Sequence, residues 1–168
     1  KKQLPYYFPL GFSLLSSSGD TLEYKLDDED QTLLERDILI VKQEQERFVF
    51  QSVEQNPILS VNNNFSAPFK IEHDQADFGF LMQYAKDGFI RYEATQKAAM
   101  NAIDMFTENG EVDQQYIEHF KTILEDETLG LESKAFMLEL PSLSVLMQEQ
   151  EKIDIQPISK ALDLQKRC

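Results

Sequence analysis

The 168 residues contain no tryptophan, and their single cysteine is the last residue, Cys168. A lone terminal thiol excludes an internal disulfide and leaves no cysteine pair to share a metal ion. So little cysteine fits a reducing compartment, and the expected location is cytoplasmic. Basic residues are also scarce: 16 Lys and Arg stand against 30 Asp and Glu, a formal net charge of −14. Through His73 there are 7 basic and 12 acidic side chains, and beyond it 9 and 18, so no basic face is hidden by averaging. A field of that sign repels phosphate backbones and anionic lipid, which argues against nucleic acid and the membrane surface as partners. No apolar run reaches bilayer-spanning length, and no signal peptide is visible.

The groups that carry chemistry are equally sparse. The two histidines, His73 and His119, lie far apart, and neither has the second His four residues away that a helical zinc site needs. Both read as structural. Asp27, Asp28, Glu29 and Asp30 form an acidic run without the glycine and distal glutamate of a calcium loop, so they read as a solvated loop. Ser16, Ser17 and Ser18 sit in a turn and lack the Gly-x-Ser-x-Gly context of a hydrolase elbow. Six glycines supply no phosphate-cradling loop. Asn64-Phe65-Ser66 satisfies the glycosylation sequon, a triplet common by chance. The sequence therefore offers no catalytic, cofactor-binding or metal-binding residue, and the chain by itself reads as a non-enzyme.

What the chain does have is apolar bulk: 42% hydrophobic residues, with twelve Phe and six Tyr. Its periodicity changes once. Leu4, Tyr6, Phe8, Leu10, Phe12 and Leu14 alternate, predicting a strand with one buried face and an edge or bulge at Pro9. Ser16–Asp20 predicts a turn, with Thr21–Leu26 returning as a hairpin. Asp37–Val41 is apolar on both faces, as in a central strand. Gln43–Glu46 turns the chain, Arg47–Val53 returns with Phe48 and Phe50 on one side, and Ile58–Val61 is a further strand. Asn62–Asn64 reads as a polar loop. Phe69–His73 predicts a last short strand, making about six, the pattern of a β-sandwich.

Beyond His73 the period becomes helical. Asp74 caps a helix with Phe78, Leu81, Met82 and Ala85 inward, ended by Lys86-Asp87-Gly88. Phe89, Tyr92, Gln96, Ala99, Ile103 and Phe106 stripe a longer helix, stopped by Asn109-Gly110. Asp113 caps the next, striped by Tyr116, Ile117, Phe120, Ile123 and Leu124. Gly130 precedes a helical stretch over Leu131–Leu140, and Pro141-Ser142 starts a short helix through Met147. Asp154 caps a final segment with Pro157 in its first turn and Ile158, Ala161 and Leu162 inward. The fold class is thus α+β: a sandwich over residues 1–73, then a helical bundle or the start of an α-solenoid over 74–168.

At the change of period, Phe65-Ser66-Ala67-Pro68-Phe69-Lys70-Ile71-Glu72 resembles the Phe-Ser-Ala-Pro-Val-Lys-Leu-Glu segment of the bacterial aminopeptidase N family of zinc metallopeptidases. Phe80-Leu81-Met82, Asp87, Phe89, Arg91-Tyr92, Ala94 and Gln96 match in order and spacing. Glu139-Leu140-Pro141-Ser142 and Ile153–Ile158 resemble later segments of that family, and Leu10–Leu15, Gly19-Asp20 and Phe48-Val49-Phe50 fit its sheet domain more loosely. The resemblance implies a fragment: part of an immunoglobulin-like sandwich and the first helices of a superhelical C-terminal domain. The family's His-Glu-x-x-His helix and Gly-Ala-Met-Glu-Asn motif have no counterpart here, so the zinc would belong to the parent enzyme.

On that reading the parent removes N-terminal residues from peptides. This part contacts the missing catalytic domain and holds a helical cap over its chamber. Cut from the parent, it is expected to self-associate through an open sheet edge. Two other readings compete: a free-standing adaptor without activity, and a small hydrolase using its own carboxylates.

Overall fold

The structure, a computed structural model, describes residues 7–26, 37–68, 71, 76–142 and 144–146. It divides into two compact units. The first comprises Lys1–His73 with Tyr84–Ile90, and the second Asp74–Gln83 with Arg91–Cys168. The expectations for Asp27–Asp30, Asp74 and the segment from Met147 onward fall outside the described residues, as does Phe69–His73 except Ile71.

The first unit is an antiparallel sandwich built around β1 (Phe8–Leu15), which pairs with β3 (Ile38–Val41) and β5 (Ile58–Val61). A second, two-stranded sheet joins β2 (Lys25–Leu26) to β4 (Phe50–Gln51). Why β1 serves two partners follows from its hydrogen-bond parity. Phe12 N donates to Asp37 O at 2.9 Å, and the register Phe8↔Val41 to Gly11↔Ile38 continues that pairing. In an antiparallel ladder each residue turns both its N–H and its C=O to the same side, alternating along the strand. Even-numbered residues of β1 therefore bond toward β3. Odd-numbered ones bond toward β5, in the register Phe12↔Val61 to Leu15↔Ile58.

That parity explains Pro9. Its missing N–H falls on the β5 side, beyond the end of β5 at Val61, where no ladder bond is lost. The ladder has no bulge there, and Pro9 is locally an edge. The turn after β1 forms as the sequence suggests, with Ser16 N donating to Asp20 O at 2.8 Å and Gly19 at φ +84°. The returning segment pairs only briefly with β1, through Leu22 N to Leu14 O at 2.8 Å, before Lys25–Leu26 joins the other sheet.

Two expectations are corrected here. The strand at Ile38–Val41 is an edge among the described residues, because the eight-residue β1 takes the central place. The one-faced burial expected of β1 holds only at its start, since Gly11, Leu15 and Ser16 are buried as well as Phe12 and Leu14. Phe12, Leu14, Leu39 and Val61 form the core, flanked by Tyr24, Phe48, Phe50 and Ile71 among others. Both sheets contribute to it. Phe12, Tyr24 and Phe50 make a three-ring cluster with centroids 5.2 to 5.4 Å apart.

The helices are α1 (Ala76–Tyr84), α2 (Gly88–Asn109), α3 (Gln114–Glu125) and α4 (Leu131–Met137). Phe78, Leu81, Met82 and Ala85 are all buried, as their spacing predicts. On α2, Ala99 and Ile103 of the expected stripe are buried, and the rest of the buried band, Ile90, Ala94, Thr95, Ala98 and Ala102, lies beside it. The larger Tyr92 and Phe106 sit half-buried at the flanks of that band. Gly110, at φ +72°, stops α2 by donating its N–H to Phe106 O at 2.9 Å. Asp113 caps α3, its carboxylate accepting from Gln115 N and Tyr116 N at 2.9 and 3.0 Å. Leu124 is half exposed rather than inward. After Pro141, the N–H groups of Val145 and Leu146 both donate to Ser142 O.

Truncating Phe12 to Ala removes the ring at the centre of the aromatic cluster, and should destabilise the sandwich by about 3–5 kcal/mol. Urea denaturation followed by tyrosine fluorescence of the Tyr24 environment measures this.

Candidate functional site

The most densely bonded part of the first unit is the turn leaving β5, which carries the Phe-Ser-Ala-Pro segment. Asn62 is fully buried in the left-handed conformation, φ 68° and ψ 29°. Its Oδ1 accepts from Ser66 Oγ at 3.1 Å and Ala67 N at 2.9 Å, and its backbone O accepts from Phe65 N at 3.0 Å. Its Nδ2 makes no hydrogen bond, a desolvation cost of about 1–3 kcal/mol that the accepted bonds offset. Asn63 bridges outward: Ser60 Oγ donates to its Oδ1 at 2.9 Å, and its Nδ2 donates to Ser13 Oγ at 3.2 Å. Gly11 N donates to Ser66 Oγ at 2.7 Å, taking the place of the next rung beyond β5. A Cβ at Gly11 would stand 2.7 Å from Asn63 O, so glycine is required by close approach.

The expected polar loop is thus a hydrogen-bonded turn with Asn62 buried, Asn63 half-buried and Asn64 exposed. Asparagine tolerates the left-handed conformation and can satisfy the backbone locally, which makes a solvated loop and a buried turn look alike in sequence. The sequon serine, Ser66, has its hydroxyl committed to Gly11 and Asn62.

Asn64 and Phe65 continue at φ 56° and 49°. For an aromatic residue this conformation costs on the order of 1–3 kcal/mol and persists only when its surroundings over-determine it. Here the Phe65 ring packs edge-to-face on Phe89 at 4.9 Å, and Asn64 N donates to Asp87 Oδ2 at 2.9 Å. The other oxygen of Asp87 accepts from Ile90 N at 3.0 Å, capping α2. Lys86-Asp87-Gly88 thus both ends one helix and starts the next, and Asp87 fixes the α1–α2 corner within the first unit. Gly19 completes this packing, since a Cβ there would collide with the Tyr84 ring.

The sequence-derived candidates fall elsewhere. Ser16 Oγ accepts from Ser18 N and Asp20 N, and Ser18 Oγ donates to Asp20 Oδ2 at 2.7 Å, so the serine run shapes its own turn. His119, half-buried on α3, has its ring against Gly79, with the Gln83 amide on Nδ1. His73 and Cys168 lie outside the described residues. Among the described residues no three His, Cys, Asp or Glu converge to hold a metal ion, and no helix is long and apolar enough to cross a membrane.

In the second unit the charged focus is Arg91. Its Nε donates to Met82 O at 3.1 Å, and its guanidinium lies 3.7 Å from Asp126 at the C-terminus of α3. Burial lowers its pKa, opposed by the Asp126 charge. Asp126 is held below the usual carboxylate value, first by the Thr128 hydroxyl and N–H and then by Arg91 and Lys134. Lys134 donates to Leu124 O at 2.6 Å, closing the same helix end. Burial and the Asp37 carboxylate, which accepts the Tyr24 hydroxyl at 2.8 Å, push the Tyr24 phenol well up. These shifts reflect structural pairing.

Comparison with known proteins gives the arrangement its family. Residues 1–74 match a domain of unknown function (DUF3458) with an Ig-like fold, and residues 75–167 match its companion, DUF3458_C, with ARM repeats. The chain belongs to the DUF3458_C family, whose model covers more than half of it. Over 125 residues, 70% of the chain, it is 29% identical to aminopeptidase N of Escherichia coli strain K12. Its fold matches Legionella pneumophila aminopeptidase A, solved in complex with aspartic acid, with a TM-score of 0.71 and 28% identity over 96% of the chain. The resemblance carried by Phe65–Glu72 thus extends along the DUF3458 sandwich and the helices after it. The chain spans 14% of the first relative and 18% of the second.

Replacing Asp87 by Ala leaves two backbone N–H groups without acceptors and should cost about 1–2 kcal/mol. Hydrogen exchange should accelerate at Asn64 and Ile90 together; acceleration at Ile90 alone would mean that the corner is not tied to that turn. Because the folded pKa of Asp126 is depressed, its stabilisation is present above its ordinary value of 3.8 and is lost as pH falls through the folded value. Acid titration of the helical signal should therefore be shallower in Asp126→Asn than in the unmodified chain.

Proposed function

We propose that this chain is a non-catalytic region of a zinc-dependent aminopeptidase N-type protein that removes N-terminal residues from peptides. Its role is to join the immunoglobulin-like unit to the helical repeats and to position those repeats over the catalytic chamber. The observation that carries the proposal is coverage: 96% of the chain aligns with 18% of an aminopeptidase chain, through an Ig-like fold followed by ARM repeats. The described residues provide no set that fits a zinc ion, so no catalytic step is assigned to them. Peptides would meet this region only through the parent enzyme, whose catalytic domain is its partner.

The chain's connectivity supports a joining role. It passes between the two units at 73/74, 83/84 and 90/91, so three covalent links connect them.

Two measurements test this reading. The purified chain, assayed with added zinc against aminoacyl-arylamide substrates, should show no hydrolysis above background. Turnover that co-purifies with the chain and is abolished by chelation would overturn the assignment. The isolated chain should also associate as its concentration rises. Leu59 turns its backbone N–H and C=O away from β1 and meets no strand among the described residues, while Leu131 and Phe136 are 83% and 55% exposed. Light scattering that gives a 19.5 kDa particle at every concentration would contradict this part of the proposal.

A further inference from the structure

The Asn109-Gly110 pair ends α2, and its geometry bears on a reaction that the proposed role does not involve. An asparagine followed by glycine is the sequence in which a backbone nitrogen most easily attacks the preceding side-chain amide, because no Cβ hinders the approach. It is the single Asn-Gly pair in the chain. Both residues are exposed, and a Cβ at Gly110 would meet nothing within 4 Å, so water has open access. The nitrogen that would attack is the one that caps the helix: Gly110 N donates its hydrogen to Phe106 O at 2.9 Å. It cannot make that bond and act as a nucleophile at once. The reaction must wait until the last turn of α2 opens.

We propose that Asn109 is a spontaneous deamidation site gated by the C-terminal cap of α2. Gly110 N loses its proton to solvent base and forms a bond to Asn109 Cγ. The Cγ–Nδ2 bond breaks, and ammonia leaves with a proton from water. The resulting succinimide is opened by one water molecule, giving aspartate or a β-linked isoaspartate, with no change of oxidation state.

The product bears on the fold in two ways. A new carboxylate is placed at the negative end of the helix dipole, between Glu108 and Glu111. The isoaspartyl form also inserts an extra backbone carbon where the left-handed cap at Gly110 forms, so that cap is lost. Ageing at this position unwinds the end of α2 and loosens its connection to α3.

The test is to incubate the full chain at mildly alkaline pH, folded and in urea, and to map deamidation by peptide mass spectrometry with isoaspartyl quantification. Conversion should concentrate in the Asn109 peptide. It should be slower in the folded chain by at least about tenfold, by the same factor as the hydrogen-exchange protection of Gly110 N–H. Asn109→Gln, which would require a less favourable larger ring, should abolish conversion in that peptide while leaving the fold unchanged. Equal rates folded and unfolded would overturn the gating. A folded chain that stays unmodified far longer than the Gly110 protection factor allows would overturn the site.

Discussion

The buried side chain of Asn62 is the constraint on which the sandwich depends. β5 ends one residue before it, and β1 continues past that point with an N–H at Gly11 that needs an acceptor. Asn62 resolves this by turning the chain left-handed and holding Ser66 in place, so that the Ser66 hydroxyl reaches Gly11. Each part requires the others: glycine at position 11 for clearance, asparagine at 62 for the conformation, serine at 66 for the acceptor. The strained Phe65 and its bond network through Asn64 and Asp87 follow from the same turn. The Phe65–Pro68 start of the segment that resembles aminopeptidases lies within this bonded turn.

Much of this was legible because it rests on local chemistry. The Asp113 cap and the Gly110 stop are each set by residues within one turn, and they form where the sequence places them. The burial of Asn62 within the polar Asn62–Asn64 loop was not legible, because composition records which groups can hydrogen-bond and says nothing of whether water or protein supplies the partner. The place of Ile38–Val41 at the edge depends on which strand is long enough to serve two neighbours, a property of the whole sheet. On α2 the expected stripe holds at Ala99 and Ile103, while Ala94, Ala98 and Ala102 are buried beside it, because small residues carry a weaker apolar signal in sequence than the half-buried Tyr92 and Phe106. Asp87 was visible as the end of a helix, but its second role needs the position of Asn64, which is distant in sequence.

Functional inference rests on a different footing from the fold. The sequence lacks the histidine and cysteine spacing of a metal site, and the described side chains assemble none. What remains is a chain whose identity with aminopeptidases lies near 30% while it covers under a fifth of their length. Its charged and polar residues act as caps, turns and helix-end clasps. Asp87, Asp113, Asp126 and Arg91 all satisfy backbone groups or close helix ends.

The most direct test of that account is the intact mass and metal content of the natural polypeptide that contains this sequence, isolated from its source. The account predicts a chain several times longer than 168 residues, with zinc bound outside this region. A mature protein of 19.5 kDa without metal, or zinc retained by the 168 residues alone, would contradict it.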